Sequence, residues 1–530
     1  MEKYLIFPKI NWIYFLFGIL ILSLIFRLYY FDETIPLSLD SLNFFTYSAD
    51  IATLGQLPIN YDIVKPGWSY FLAVIFSVFN FEYTIQYMQL QKLLTISIST
   101  LTILPLFFLI KKFSPSKYSL LGVLLFAVDP RIIQNSLSGN SEPLFIFCMV
   151  STILLFLNKD NKIIYSSFVL AGITTMIRPE GLFLFIGISI IYIIRFRKNQ
   201  FLIPKYVLAL FLFILILAPM TLHKQQEGMY ESVFERAYYV LMDNDAYDKK
   251  SRETNAQALN QVDSMDKKHN IFIIGLENYF KYLAWILIPL FLLVTPIGFI
   301  IFFKNFNMDK FTIIILTIVM SIPAFYAYTF PFLETKYLYF LFPMFCIFAT
   351  FSLKFFIDKF EKKNILLITC FVLIILSSYL FIDYKFDFQK DQESVIIANF
   401  VLKNTKVINN YQPESIFILG MDVEKKWKDY QQFYKKADRT MGLLGDAKTK
   451  QIYHPSSIKI IGTSNYNSLE SYLYDPLNEK ISHLVLDGKD TRPEFLNDIF
   501  YNENKYDFLT KIYDSRDDGL KYHVKIFQVN

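Results

Sequence analysis

The feature that most constrains this chain is a series of long apolar runs, almost free of charge, separated by short basic clusters. A helix that spans lipid needs roughly 17–25 predominantly apolar residues. Runs of that kind lie at about 10–30, 90–110, 118–134, 141–157, 163–177, 180–195, 203–221, 279–303, 311–330, 337–357 and 364–382. In hydrocarbon every backbone N–H and C=O needs a partner within the protein, so each run is expected to be helical. Of the 530 residues 54% are hydrophobic and only 19% charged, against about a quarter charged in soluble proteins. That excludes a soluble multidomain enzyme, a disordered chain and a nucleic-acid binder. The net charge of +5 comes largely from lysines between the runs, so it reflects membrane topology rather than a polyanionic partner.

Loop charge orients the spans. With the N-terminus cytoplasmic, the inside loops hold Lys111, Lys112, Lys117, Lys159, Lys162, Arg195, Arg197, Lys198, Lys205, Lys304, Lys310, Lys354, Lys359, Lys362 and Lys363. The short outside loops hold only Arg131, Arg178 and Lys336. This positive-inside bias holds only if a further apolar run, Pro66 to Phe81, does not cross, so that run is read as an interfacial or re-entrant helix on the outer face. The expectation is a polytopic α-helical membrane protein with about eleven spans over residues 1–382, and outer loops at about 31–89 and 222–278. Localisation in the plasma membrane follows from topology and a composition typical of an AT-rich prokaryotic genome.

From residue 383 onward the apolar stretches shrink to strand length: Ser415–Gly420, Ile458–Gly462, His483–Asp487 and Tyr522–Gln528. Amphipathic stretches lie between them, at Glu393–Leu402 and Arg492–Tyr501. Strands alternating with helical patterns predict a soluble extracytoplasmic α/β domain over 383–530 with a largely parallel sheet. No glycine-rich phosphate loop follows any of these strands. Cys148, Cys346 and Cys370 all fall in apolar runs and the five histidines are scattered, so neither a disulfide framework nor a metal-ligand spacing is evident.

Charged residues among apolar spans are costly, and by default they are functional candidates. Here they gather at the outer ends of the spans. Asp40 follows the first span and precedes a helical stretch, Asn43 to Leu54. An Asp there reads either as a helix cap, worth about 1 kcal/mol, or as a general base at the membrane surface. Further along come Asp129-Pro130-Arg131, Asn140-Ser141-Glu142-Pro143, Arg178-Pro179-Glu180-Gly181 and Glu334-Thr335-Lys336-Tyr337. Each cation alone reads as an ion-pair partner or a snorkelling side chain. Arg131, Arg178 and Lys336 together, joined by Lys65, suit an anionic ligand such as a phosphate.

These motifs, in this order over residues 10–345, resemble the membrane-embedded GT-C glycosyltransferases. The likeness is to the branch with the protein O-mannosyltransferases and the lipid A aminoarabinose transferase, glycosyltransferase family 39. The acidic motif is Leu39-Asp40-Ser41, followed by Leu54-Gly55-Gln56-Leu57-Pro58, and the interfacial helix opens Lys65-Pro66-Gly67-Trp68. Then come Asp129-Pro130-Arg131, the Ser138-to-Glu142 turn, Ile177-Arg178-Pro179-Glu180-Gly181, and Lys336-Tyr337 ahead of Pro343. Many members pair two acids where this chain has Asp40-Ser41, and many have Arg-Tyr where it has Lys336-Tyr337.

The resemblance implies a hexosyltransferase-like enzyme that moves a sugar from a polyprenyl-phosphate (dolichyl-phosphate-like) donor to a glycan, lipid or protein acceptor, with inversion. Asp40 would be the general base. Arg178, Lys336, Arg131 and Lys65 would bind the donor phosphate, and Glu142, Asp129 and Tyr337 would position the acceptor, Glu142 alternatively holding one of these cations. Basic side chains in that role call for no cofactor and no metal, and leave room for a divalent ion. Two alternatives stand beside it. One is en bloc transfer by an oligosaccharyltransferase, echoed faintly by Trp427-Lys428-Asp429-Tyr430. The other is a lipid or solute transporter or flippase, which would bury its charges nearer the bilayer midplane.

Overall fold

The computed structural model describes residues 12–33, 35, 37, 39–55, 57, 66–81, 84–226, 270–329, 334–385, 389–390, 392–394, 396–397, 400, 416–419, 468–473, 481–488 and 494–530. Lys65, most of the 222–278 segment, Trp427–Tyr430 and the expected strand Ile458–Gly462 lie outside these residues.

The apolar runs are helices. In chain order they are α1 (Trp12–Tyr29), α2 (Leu39–Leu54), α3 (Gly67–Val78), α4 (Thr84–Leu101), α5 (Ile103–Lys111), α6 (Ser116–Val128), α7 (Pro130–Leu137), α8 (Glu142–Phe156), α9 (Asn161–Ile177), α10 (Gly181–Phe196) and α11 (Leu202–Gln226). Beyond residue 269 come α12 (Asn270–Ile286), α13 (Pro289–Phe302), α14 (Met308–Thr329), a 3-10 helix (Thr335–Leu341), α15 (Phe342–Asp358) and α16 (Lys363–Lys385). The protein is a multi-pass, mostly helical membrane protein. Among the described residues six helices are long and apolar enough to cross a membrane, or up to eight if each of two bent pairs is one span. The shorter apolar helices α8, α9 and α10 coincide with three further expected spans. The run read as interfacial forms α3, only 12 residues, which at 1.5 Å per residue reaches about 18 Å and falls short of a bilayer core.

One expected span, 279–303, is not a single helix. It is two helices, α12 and α13, bent by 120°. Pro289 is the cause: it lacks an N–H and forces the preceding residue out of the helical region, and Ile288 is extended at φ −67 and ψ 152. Pro130 does the same between α6 and α7, which meet at 52°.

The chain divides into two compact units. The helical unit comprises residues 1–31, 58–75 and 89–386. Its inner and outer members differ in burial. The span through the 3-10 helix and α15 is 78% buried, whereas the apolar windows of α11 and α16 are each 17% buried and present Val207, Phe211, Val372 and Leu380 outward. Outward apolar surface of this kind is what a lipid-facing helix needs.

Two close approaches and one turn fix the charged end of this unit. A Cβ on Gly181, at the start of α10, would lie 2.5 Å from the Thr175 backbone nitrogen in the last turn of α9. A Cβ on Gly67, at the start of α3, would lie 2.7 Å from the Met176 backbone carbon. Gly139 has φ +73 and turns the chain from α7 into α8. Its carbonyl accepts from Trp68 Nε1 at 3.1 Å and from Gln91 Nε2 at 2.8 Å, tying α3 and α4 to the turn.

The second unit joins residues 32–57, 76–88 and 387–530. In it α2 sets Phe45 edge-on to Phe76, at 5.5 Å between centroids. Its sheet has strands β1 (Ile416–Leu419), β2 (Ile481–Leu486), β3 (Leu509–Asp514) and β4 (Lys525–Val529), in the order β1-β2-β4-β3. The expected largely parallel sheet is corrected: of the described pairs only β1–β2 is parallel, and β2–β4 and β3–β4 are antiparallel. The reason is connectivity. A ten-residue turn with Gly519 at φ +73 joins β3 to β4, and without a crossover helix adjacent strands run antiparallel. A small core of Leu469, Leu484, Leu486, Leu496, Ile499, Phe500 and Phe527 backs the sheet, with Glu494–Tyr501 helical as expected.

Because the Thr175 backbone cannot move aside, Gly181→Ala is expected to lower stability by about 1–3 kcal/mol. Gly18→Ala, where nothing lies within 4 Å, should be neutral or slightly stabilising. Thermal midpoints of the purified full chain in detergent check both, and equal midpoints would contradict the close α9–α10 seat.

Candidate functional site

The 3-10 helix Thr335–Leu341 is the hub around which the predicted charged residues of the helical unit collect. It packs against α7, α8, α12, α14 and α15. Phe145 of α8 meets Phe340 at 5.8 Å, Tyr328 of α14 lies edge-on to Tyr337 at 6.5 Å, and the Tyr328 hydroxyl donates to the Glu334 carbonyl at 3.0 Å. Lys336, Glu334, Arg178 and Glu180 all act electrostatically on Tyr337, and Arg131, Glu142 and Asp129 act on Tyr339. Residues from three distant stretches of sequence therefore meet at one end of the unit.

At its centre Arg178 is held by two carboxylates. Its Nη1 donates to Glu142 Oε1 at 2.6 Å, Nη2 to Glu180 Oε1 at 2.7 Å and Nε to Glu180 Oε2 at 3.2 Å. The local sequence explains the arrangement. Arg178 ends α9 in an extended conformation at φ −149 and ψ 144, because Pro179 follows. Glu180 then stands two residues on, and Glu142 opens α8. All three side chains are nearly buried, at 13%, 5% and 6% exposure for Arg178, Glu142 and Glu180. Burial works against the arginine charge, but Glu180 and Glu142 outweigh it and hold the guanidinium above its ordinary range. One cation against two carboxylates leaves a negative charge over, and Glu142 Oε2 is buried with no hydrogen bond among the described residues.

The other predicted residues take different positions. Asp129 caps α7: its Oδ1 accepts from the Arg131 and Ile132 N–H groups at 2.9 and 3.3 Å. Arg131 reaches sideways, donating from Nη1 to Gln134 Oε1 at 2.8 Å and lying 5.7 Å from the Trp285 ring centroid. Its Nε is buried and makes no hydrogen bond among the described residues. Lys336 pairs with Glu334 at 2.5 Å, the lysine 23% exposed. Asp40 is exposed in the first turn of α2, inside the helix rather than ahead of it, and belongs to the second unit. A fully buried arginine, Arg27, escaped the sequence reading because it sits inside the first apolar run. Lys92, buried in the middle of α4, escaped it likewise. Among the described residues no group of three or more His, Cys, Asp and Glu is placed to hold a metal. Glu142 and Glu180 are engaged by Arg178.

No family model matches the chain, and no curated protein matches it in sequence. Solved structures do. The crystal structure of ArnT from Cupriavidus metallidurans, bound to undecaprenyl phosphate, superposes with a TM-score of 0.50 at 9% identity over 98% of both chains. The oligosaccharyltransferase of Archaeoglobus fulgidus in its apo form gives a TM-score of 0.50 at 12% identity, over 91% of this chain and 70% of that one. The chain spans only 61% of the same transferase crystallised with Zn and sulfate, where the TM-score is 0.48.

Arg178→Ala would strand two buried carboxylates, and the expected loss is about 3–5 kcal/mol of stability. Lys354→Ala, on the expected inside loop, should cost under about 0.5 kcal/mol. Thermal or denaturant unfolding of the purified variants measures the difference, and equal small losses would contradict the buried triad. At such low identity the superpositions speak for architecture, and in architecture the chain has the GT-C fold of these membrane proteins.

Proposed function

We propose that the protein is a membrane glycosyltransferase that moves a sugar, as a hexosyltransferase would, from a polyprenyl-phosphate donor to a glycan, lipid or protein acceptor on the outer face of the plasma membrane. The observation that carries this reading is the gathering of Arg131, Arg178, Lys336, Glu142 and Tyr337 around one 3-10 helix. ArnT, whose fold matches over nearly the whole of both chains, is described with undecaprenyl phosphate bound. In this reading the N-terminus is cytoplasmic, residues 1–382 form the transferase domain, and residues 383–530 form an extracytoplasmic domain.

Asp40 is the proposed base. It takes the proton of an acceptor hydroxyl as that oxygen bonds to the anomeric carbon, the carbon–phosphate oxygen bond breaks on the opposite face, and polyprenyl phosphate leaves. A single displacement of this kind inverts the anomeric centre. Arg131 and Lys336 are the cations suited to the departing phosphate, Arg131 through its buried Nε–H. In this proposal Arg178, engaged on three nitrogens, holds Glu142, and the Glu142 carboxylate accepts from a sugar hydroxyl. Lys65 is retained as a further phosphate ligand on the sequence alone.

The test is transfer from radiolabelled polyprenyl-phosphate monosaccharides to membrane extract by the purified full chain in liposomes. Asp40→Asn should cut turnover by roughly 10²–10⁴-fold while donor binding holds. Arg131→Ala should instead weaken the donor by about tenfold or more. Undiminished turnover in Asp40→Asn contradicts the assignment.

A further inference from the structure

Where α6 gives way to α7, Pro130 has no N–H and Asp129 Oδ1 takes the N–H groups of Arg131 and Ile132. In an unbroken helix those two groups would have served the carbonyls of Ala127 and Val128. Both carbonyls are instead met by side chains from other helices. Arg27 of α1 donates from Nη1 to the Ala127 carbonyl at 2.9 Å, and the Ser378 hydroxyl of α16 donates to the Val128 carbonyl.

Arg27 is fully buried. It also bonds the Ser23 carbonyl at 3.1 Å and the Ser23 hydroxyl, and its Nη2 donates to Ser99 Oγ of α4 at 3.0 Å. It makes no ion pair within 4 Å among the described residues, and the acid that acts on it is Asp129. An arginine kept inside a membrane helix bundle at several kcal/mol of desolvation is out of proportion to filling space, which a methionine would do.

We propose that Arg27 is a positioning residue for the site. By holding the Ala127 carbonyl beside Asp129 it fixes the 52° bend that Pro130 opens between α6 and α7. That bend places Arg131 over Trp285, next to the 3-10 helix. Arg27 touches no substrate; it acts through α7. The kinetic part of this proposal rests on the function proposed above, and the structural part does not.

Two readouts of the full-length protein separate them. The first is Trp285 fluorescence, isolated by subtracting the spectrum of the matching Trp285→Phe protein. Arg131→Ala should shift this component, Arg27→Met should reproduce the shift, and Arg27→Lys should give about half of it in the same direction, since lysine keeps the charge with fewer donors. The second is the donor KM in the transfer assay. Arg27→Met should raise it about tenfold in the intact chain and less than about twofold when Arg131 is already alanine, because residues acting through one another are not additive. A merely structural role would cost the same factor in both backgrounds.

An unchanged Trp285 component in Arg27→Met, or in Arg131→Ala, overturns the proposal, and so do multiplying losses. If Arg27→Met does not fold, Arg27→Lys and Ser99→Ala should still displace the Trp285 component in the same direction, and no displacement in either overturns it. Absence of transfer by the intact chain defeats the proposed function alone, and the fluorescence then decides Arg27.

Discussion

The buried guanidinium of Arg178, gripped by Glu142 and Glu180, is the interaction on which the charged end of the helical unit depends. Two chain segments must converge to make it: the first residue of α8 and the Arg178-Pro179-Glu180 turn that follows α9. Convergence at hydrogen-bond distance requires backbones to pass close, and glycine stands where they do, at Gly67 and Gly181, with Gly139 in the turn before α8. Taking three charges out of water costs several kcal/mol per ion, and the mutual attraction offsets that only when the bonds are short and directional. The bonds here are of that kind.

The same physics governs the two helix breaks. Each proline removes a donor and bends a run of apolar sequence, and the carbonyls left over must find partners in a medium that supplies none. Between α6 and α7 they find Arg27 and Ser378. The breaks thus turn hydrophobic spans into supports for polar groups, with Arg131 on one side and Trp285 just before the other.

Much of this was legible in the sequence. The apolar runs announce helices because lipid permits little else, and α3 read as non-spanning because of loop charge and its short length. Charged motifs at span ends pointed to Arg131, Glu142, Arg178 and Lys336 as neighbours, and the structure brings them together around the 3-10 helix. What sequence could not give is pairing. Nothing in Arg178-Pro179-Glu180 says that Glu142 completes the grip, or that Asp129 is engaged by the N–H groups of its own helix. Arg27 was invisible because one charge in eighteen residues of α1 leaves the run apolar. Strand β3 was missed because Lys511 interrupts its alternation, and with it went the antiparallel character of the sheet. The fold at α12 and α13 was missed because a hydropathy run reads the same on either side of Pro289.

The most direct test of the account is transfer by a chain in which the whole triad is made apolar, Glu142→Met with Arg178→Met and Glu180→Leu. Replacing a buried ion network entire tends to leave stability near its starting value. If the triad serves function, this protein folds with a thermal midpoint close to that of the intact chain and its transfer falls by at least about 100-fold. A folded triple variant that transfers sugar as fast as the intact protein would contradict the account, and would make the triad a device of packing alone.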